Sequence, residues 1–122
     1  MNNYLKKEQV RSSLKVGKAV EQWLGHFSEG NDTVLKWLRI YREKEEYNVM
    51  YIECYDQGNE DFIDVYDFTI IDPDEPYGAI TSFSSIDQAI EFSKNEYGSL
   101  DDRFVTNGLI QQEYLKYLKQ KS

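Results

Sequence analysis

Cysteine, histidine and proline are scarce in this chain: its 122 residues include one Cys, one His and two Pro. A single cysteine, Cys54, cannot form an internal disulfide, which is typical of proteins from a reducing compartment. Residues 1–20 lack the apolar centre of a signal peptide. No stretch approaches the roughly 20 apolar residues that a membrane-spanning helix needs. These absences predict a soluble cytoplasmic protein that does not bind membranes.

Basic side chains are missing from the middle of the chain. The formal net charge is −8, but residues 45–93 hold thirteen Asp and Glu and no Lys or Arg. Residues 1–44 hold nine basic and five acidic side chains, and residues 94–122 hold five and four. Because phosphate binding needs clustered Lys and Arg, this acidic middle argues against a nucleic-acid partner.

What the chain does contain is typical of a globular protein. Hydrophobic residues make up 40% of it and aromatic residues 15%, with ten tyrosines. A chain of this length buries one continuous core, so residues 1–122 are predicted to form a single domain.

Hydrophobic periodicity divides the chain into helices and strands. Apolar residues at helical spacing predict an N-terminal helix over residues 6–27, stopped by Gly30 and Asn31. Alternating patterns rich in β-branched and aromatic residues predict four strands, over residues 33–43, 46–55, 62–71 and 79–85. Ser85 and Gln88 match a capping box that begins a helix ending at Gly98, and a last helix is predicted over residues 109–119.

The order of these elements predicts an α+β fold. It consists of an N-terminal helix, a four-stranded antiparallel meander and two C-terminal helices packing on one sheet face.

Residues that could perform catalysis are few and poorly spaced. The chain has no P-loop, no G-x-G-x-x-G and no G-x-S-x-G motif. His26 is expected near the end of the predicted helix, facing solvent or the helix dipole, and its segment HFSEGND matches no zinc signature. Cys54 is expected to be a buried, inert thiol. Asp64 and Asp67 would point to opposite faces of a regular strand and could not form a catalytic pair unless a β-bulge reversed their parity. We therefore predict no enzymatic activity, no metal and no cofactor.

Carboxylates interleaved with tyrosines are the feature that best indicates a function. Thirteen acids without an internal cation create a negative potential that favours fast association with a basic surface. Tyrosine rings surrounded by acids are a plausible set of anchors for that surface. The hypothesis is a small acidic intracellular protein that neutralises or regulates a basic protein, such as a nuclease-type toxin, in the manner of immunity proteins. The predicted partner-binding residues are Glu53, Tyr55, Asp56, Glu60, Asp61, Asp64, Tyr66, Asp67, Asp72, Asp74, Glu75 and Tyr77.

Two other interpretations stay open. In the first, the protein is a structural or regulatory domain whose acidic surface is only solvated and prevents edge-to-edge aggregation. Arg39 and Arg42 would then pair with acids of neighbouring strands. In the second, the protein is an enzyme that uses Asp64, Asp67 or the acidic residues 72–75, which would require a deep pocket.

Overall fold

In the part of the chain that the structure describes, three helices and a five-stranded sheet make up the fold. The computed structural model describes residues 3–72, 74 and 78–121. In chain order the elements are α1 (Lys7–Lys15), β1 (Val20–Glu29), β2 (Asp32–Glu43), β3 (Glu46–Tyr55), a 3₁₀ turn (Val65–Asp67), β4 (Ala79–Phe83), α2 (Ile86–Tyr97), β5 (Val105–Thr106) and α3 (Ile110–Lys121). The strands are antiparallel in the order β4-β3-β2-β1-β5. The predicted α+β class is confirmed, with five strands in place of four.

Local signals correctly located the centre of the sheet and the second helix. Glu43 pairs with Glu46 across a two-residue turn, in which Lys44 has a φ of 59°. The Ser85 hydroxyl accepts a hydrogen bond from the Gln88 amide at 3.1 Å, and Gly98 ends α2 with a φ of 75°. The helices have 9 to 12 residues, and none in the described ranges has the length and apolar character that a membrane crossing requires.

The long N-terminal helix predicted over residues 6–27 is wrong. Helix α1 ends at Lys15, Gly17 follows with a φ of 84°, and β1 begins at Val20. A left-handed glycine is a strong helix terminator. The start of β1 is buried on both faces, with Glu21 and Gln22 each at most 1% exposed. Its apolar residues therefore do not alternate, and their spacing imitates that of a helix.

The strand predicted over residues 62–71 is also wrong. This segment contains the 3₁₀ turn and makes only isolated bridges, Asn59 with Phe62 and Cys54 with Ile70. The outer edge of β3 is already paired with β4 over Tyr47–Tyr51. Only the last residues of β3 are left to hydrogen-bond with the segment, through Tyr55 and Glu53.

The sheet is covered on both faces, so the prediction that both C-terminal helices share one face needs correction. We call one side the aliphatic face, which packs against α1 and α2. Its buried residues are Val10, Leu14, Val20, Leu38, Ile40, Val49, Ile86, Ala89 and Phe104. We call the other side the aromatic face, which packs against α3 and the segment before β4. Its buried residues are Leu35, Trp37, Ile52, Cys54, Val65, Phe68, Ile110, Tyr114, Tyr117 and Leu118. Along β2, Leu35 and Trp37 point to the aromatic face, whereas Leu38 and Ile40 point to the aliphatic face. Helix α3 packs on the first pair and α2 on the same side as the second pair, so the two helices lie on opposite sides of the sheet.

Candidate functional site

Residues 57–69, here called the acidic loop, leave the sheet after β3 and return to lie beside the end of β3. The Gln57 side-chain amide donates to the Thr69 hydroxyl at 3.0 Å and accepts from the Thr69 backbone amide at 2.7 Å. The Tyr55 amide donates to the Thr69 carbonyl at 3.0 Å. A compact loop with its ends joined in this way is an Ω-loop, a class that is frequently functional.

Hydrogen bonds inside the acidic loop give it a defined shape. Asn59 and Phe62 exchange backbone hydrogen bonds of 3.1 and 2.9 Å, and the Asn59 side chain accepts from the Asp61 amide at 2.8 Å. The Asp64 carboxylate accepts from the Tyr66 amide at 3.2 Å and so caps the 3₁₀ turn. A Cβ at Gly58 would lie 2.3 Å from the Phe62 carbonyl oxygen, so this position requires glycine.

The two sides of the acidic loop have different characters. On the inner side, Val65 and Phe68 are 1% and 3% exposed and belong to the core of the aromatic face. On the outer side, Phe62 and Tyr66 are 41% and 40% exposed. The carboxylates on the outer side belong to Glu60, Asp61 and Asp67, which are exposed, whereas Asp64 is half-buried and its carboxylate lies 3.5 Å from the Gln111 side-chain amide of α3. The loop therefore presents acids and two aromatic rings on a backbone that its own apolar residues hold against the core.

A buried carboxylate that the sequence did not reveal anchors this loop to the rest of the fold. Glu21 of β1 has no exposed surface, and its Oε2 accepts a hydrogen bond from the Tyr66 hydroxyl. Its Oε1 accepts from the backbone amides of Gly108 at 2.8 Å and Ile110 at 3.3 Å, at the start of α3. Burial and the Glu21 carboxylate raise the pKa of Tyr66, because both disfavour the phenolate. Because a helix was predicted over residues 6–27, nothing in the sequence indicated that Glu21 lies in the core of a sheet. Gly17, which follows α1, was the signal that could have predicted the end of the helix and the start of a strand.

Asp56 is internally bonded, although it was predicted to bind a partner. Its side chain is 5% exposed and accepts hydrogen bonds from Tyr114, from Tyr117 at 3.2 Å and from Lys121 at 3.2 Å. All three donors belong to α3. Burial is the main cause of a raised pKa for Tyr114 and Tyr117, and the hydrogen bond to Asp56 raises the pKa of Lys121. Asp56 therefore contributes to the attachment of α3, and we leave it out of the candidate surface.

The other predicted residues that the structure describes lie outside the acidic loop, at the end of β3 and in the segment that follows the loop. Glu53 accepts from the Tyr51 hydroxyl at 2.6 Å and lines, with Asp72 and Gly78, an open cleft of about 180 Å³. Asp72 accepts from the Asp74 amide at 2.9 Å, and both side chains are exposed. Tyr55 is half-buried at the end of β3. Glu75 and Tyr77 lie outside the described residues.

Few of the acids in residues 45–93 are neutralised by a cation. Among the described residues, the salt bridges that involve them are those of Asp56 with Lys121 and Asp87 with Arg11. Within the described part of the chain, neither Arg39 nor Arg42 forms a salt bridge with an acid of a neighbouring strand. Arg42 donates to the backbone carbonyls of Lys44 and Lys15, and the Arg39 guanidinium lies 5.9 Å from the Tyr41 ring centre.

The residues examined for catalysis are dispersed. His26 lies on β1, where its ring is 4.8 Å from that of Tyr117. Cys54 is fully buried as expected, and burial raises the pKa of its thiol to about 12. Asp64 caps the 3₁₀ turn and Asp67 is its last residue, so the two do not alternate along a strand. Within residues 3–72, 74 and 78–121, no three His, Cys, Asp or Glu side chains are grouped so that they could hold a metal ion.

No protein-family model, no curated protein and no solved structure matches this chain. The geometry of its own residues is therefore the basis for a functional proposal.

Proposed function

We propose that this protein binds and neutralises or regulates a basic protein, in the manner of an immunity protein, and that the acidic loop is its contact surface. The observation that carries the proposal is the composition of the outer side of that loop. Three exposed carboxylates and two exposed aromatic rings lie within one short segment, and no salt bridge among the described residues uses those carboxylates.

The energetics favour a partner of opposite charge. Like charges held close together destabilise the compact state, and a cationic partner relieves that repulsion. At physiological salt the field extends about 8 Å, so it accelerates the final approach of a basic surface and disfavours an acidic one. Phe62 and Tyr66 would supply the apolar contact that dominates the affinity of such interfaces.

The shape of the loop also supports binding. The Gln57–Thr69 hydrogen bonds, the buried Phe68 side chain and the Glu21–Tyr66 hydrogen bond hold the loop before a partner arrives. A pre-organised surface loses less conformational entropy on association, and the smaller loss increases the affinity.

The test is binding to defined basic proteins: the basic products of the genes that flank its own, and purified basic ribonucleases and deoxyribonucleases. Binding would be measured by calorimetry at low and raised salt, together with nuclease activity. We expect one of these proteins to bind with an affinity that falls as salt rises, and a bound nuclease to lose activity. If none binds at low salt and no nuclease is inhibited, the proposal is wrong.

Matched variants locate the surface. A triple variant of the loop, Glu60→Gln, Asp61→Asn and Asp67→Asn, should weaken binding by roughly tenfold or more, since each exposed pair contributes up to about 1 kcal/mol. The control is Glu29→Gln, Glu45→Gln and Glu96→Gln, which removes the same charge from exposed positions elsewhere. Phe62→Ala should weaken binding by a similar factor if the ring is an anchor. Equal effects of the two triple variants would show that total charge, and not the loop, attracts the partner.

The runner-up interpretation is a structural or regulatory domain with a merely solvated acidic surface. It is favoured by the exposed acids that lie outside the loop, such as Glu45, Glu46, Asp72 and Asp74. It predicts that no basic protein binds selectively and that neutralising the loop raises stability slightly by reducing repulsion.

A further inference from the structure

The turn between β5 and α3 contains an Asn-Gly pair, Asn107 and Gly108. The Leu109 amide donates to the Thr106 carbonyl at 2.9 Å, which closes a four-residue turn. Gly108 occupies the third position with a φ of 96°, as type II turns require. A Cβ at this position would meet nothing within 4 Å, so the left-handed backbone, and not a lack of space, demands glycine.

This pair is chemically vulnerable. The backbone nitrogen of a residue that follows Asn can attack the side-chain Cγ of that Asn. The attack forms a C–N bond, releases the side-chain nitrogen as ammonia and leaves a succinimide ring. Water then opens the ring to aspartate or isoaspartate. Glycine hinders the attack least because it has no side chain, and the exposed Asn107 side chain is accessible to water.

We infer that Asn107–Gly108 is a latent deamidation site and that the buried carboxylate of Glu21 keeps it unreactive in the folded protein. The attacking atom would be the Gly108 nitrogen, whose N–H donates to Glu21 Oε1 at 2.8 Å. The same oxygen accepts from the Ile110 amide at 3.3 Å, and the other oxygen accepts from the Tyr66 hydroxyl. Glu21 is fully buried, so water does not compete for these hydrogen bonds.

Two physical effects protect the site. Ring closure requires the peptide unit between Asn107 and Gly108 to rotate towards the Asn107 side chain, and that rotation breaks the hydrogen bond to Glu21. Hydrogen bonds to a charged, buried acceptor are among the stronger ones in proteins. The reactive nitrogen must also lose its proton, and a neighbouring negative charge opposes the formation of a second one. The inference does not depend on the proposed function, because it uses no property of the partner.

The experiment is incubation of the full chain at mildly alkaline pH, followed by mass spectrometry of the tryptic peptide of residues 104–116. Fragmentation separates Asn107 from Gln111 and Gln112 of the same peptide. We expect the folded wild type to deamidate at least about tenfold more slowly than the same chain in urea. Glu21→Gln, which removes the charge and keeps the shape, should deamidate several-fold faster than the wild type while folded.

Tyr66→Phe is the matched control. It removes a hydrogen bond from the other oxygen of Glu21 and leaves the Gly108 contact in place, so its deamidation rate should stay near that of the wild type. Amide exchange of Gly108 gives a direct reading if Glu21→Gln does not fold: the N–H should be protected in the wild type and in Tyr66→Phe. The inference is overturned if the folded wild type deamidates as fast as the unfolded chain, if Gly108 exchanges freely, or if a folded Glu21→Gln reacts no faster than Tyr66→Phe.

Discussion

The two faces of the sheet are held to their helices by different interactions. On the aliphatic face, α1 and α2 pack through side chains such as Leu14, Leu38 and Ile86. On the aromatic face, α3 and the acidic loop also depend on two carboxylates with little exposed surface, Glu21 and Asp56, which accept hydrogen bonds from tyrosine hydroxyls. Apolar contacts have no charge to titrate and tolerate small shifts, whereas a buried carboxylate requires its donors in place. The attachment of the face that presents the candidate site therefore depends on two buried carboxylates and their donors.

The largest expected effect is that of Glu21→Ala. It leaves the Gly108 and Ile110 amides and the Tyr66 hydroxyl without their acceptor, and the expected loss is about 3–5 kcal/mol of unfolding free energy. Urea denaturation measures it, with Glu45→Ala in an exposed turn as the control, expected within about 0.5 kcal/mol of the wild type. A loss near that of the control would mean that Glu21 does not hold α3 and the loop.

Leu38→Ala tests the aliphatic face. This side chain is fully buried, and its truncation should cost about 3 kcal/mol through lost burial and the resulting cavity. Because no ionisable group is removed, the loss should be the same at neutral and at alkaline pH in urea titrations. A strong dependence of this loss on pH would contradict the distinction between the faces.

Alkaline pH should weaken the attachment of α3 to the aromatic face. Burial and the Asp56 carboxylate raise the pKa of Tyr114 above its ordinary value of 10.0, so the folded state favours the neutral phenol. The resulting stability is complete below pH 10 and decreases as pH rises above it, by up to about 1.4 kcal/mol per pH unit for each such tyrosine. Lys121, whose pKa is also raised, acts in the same direction.

The measurement is the urea midpoint of the wild type and of Tyr114→Phe at increasing pH. The cost of the substitution should shrink above about pH 10, because the variant has no phenol to ionise at that position. Parallel curves for the two proteins would refute the role assigned to this hydroxyl.

The smallest effect is expected for Tyr66→Phe. The variant keeps the ring, whose centre lies 5.4 Å from that of Trp37, and loses only the hydroxyl that donates to Glu21. The expected cost is about 1.5 kcal/mol. Tyr55→Phe is the comparison, since no described hydrogen bond involves its hydroxyl, and it should change stability by less than about 0.5 kcal/mol.

Elements with strong local signals were the ones that could be predicted. The β2–β3 hairpin is joined by a two-residue turn, and α2 begins at a capping serine and ends at a left-handed glycine. The start of β1 escaped prediction because burial on both faces removed the alternation that identifies a half-buried strand. Residues 62–71 have the composition of a strand, but β4 already pairs with most of the available edge of β3.

The acidic composition of the candidate site could be predicted from the sequence, but which carboxylates belong to the site could not. A run of acids without Lys or Arg is visible in the sequence, and Glu60, Asp61 and Asp67 are indeed exposed. Nothing local distinguishes them from Asp56, whose donors lie on α3, 58 to 65 residues further along the chain. Glu21 was missed because a helix was predicted at its position and because its partners come from the acidic loop and from the start of α3.

The α+β class, the hairpin, the capped helix and the concentration of negative charge in the middle of the chain can all be predicted from the sequence alone. These properties follow from backbone preferences and charges that act within a few residues of one another. Which carboxylates face solvent and which accept hydrogen bonds inside the fold depends on tertiary packing. The reason is physical: a carboxylate is buried only where donors from distant segments converge on it, and that convergence exists only once the sheet and α3 have packed together.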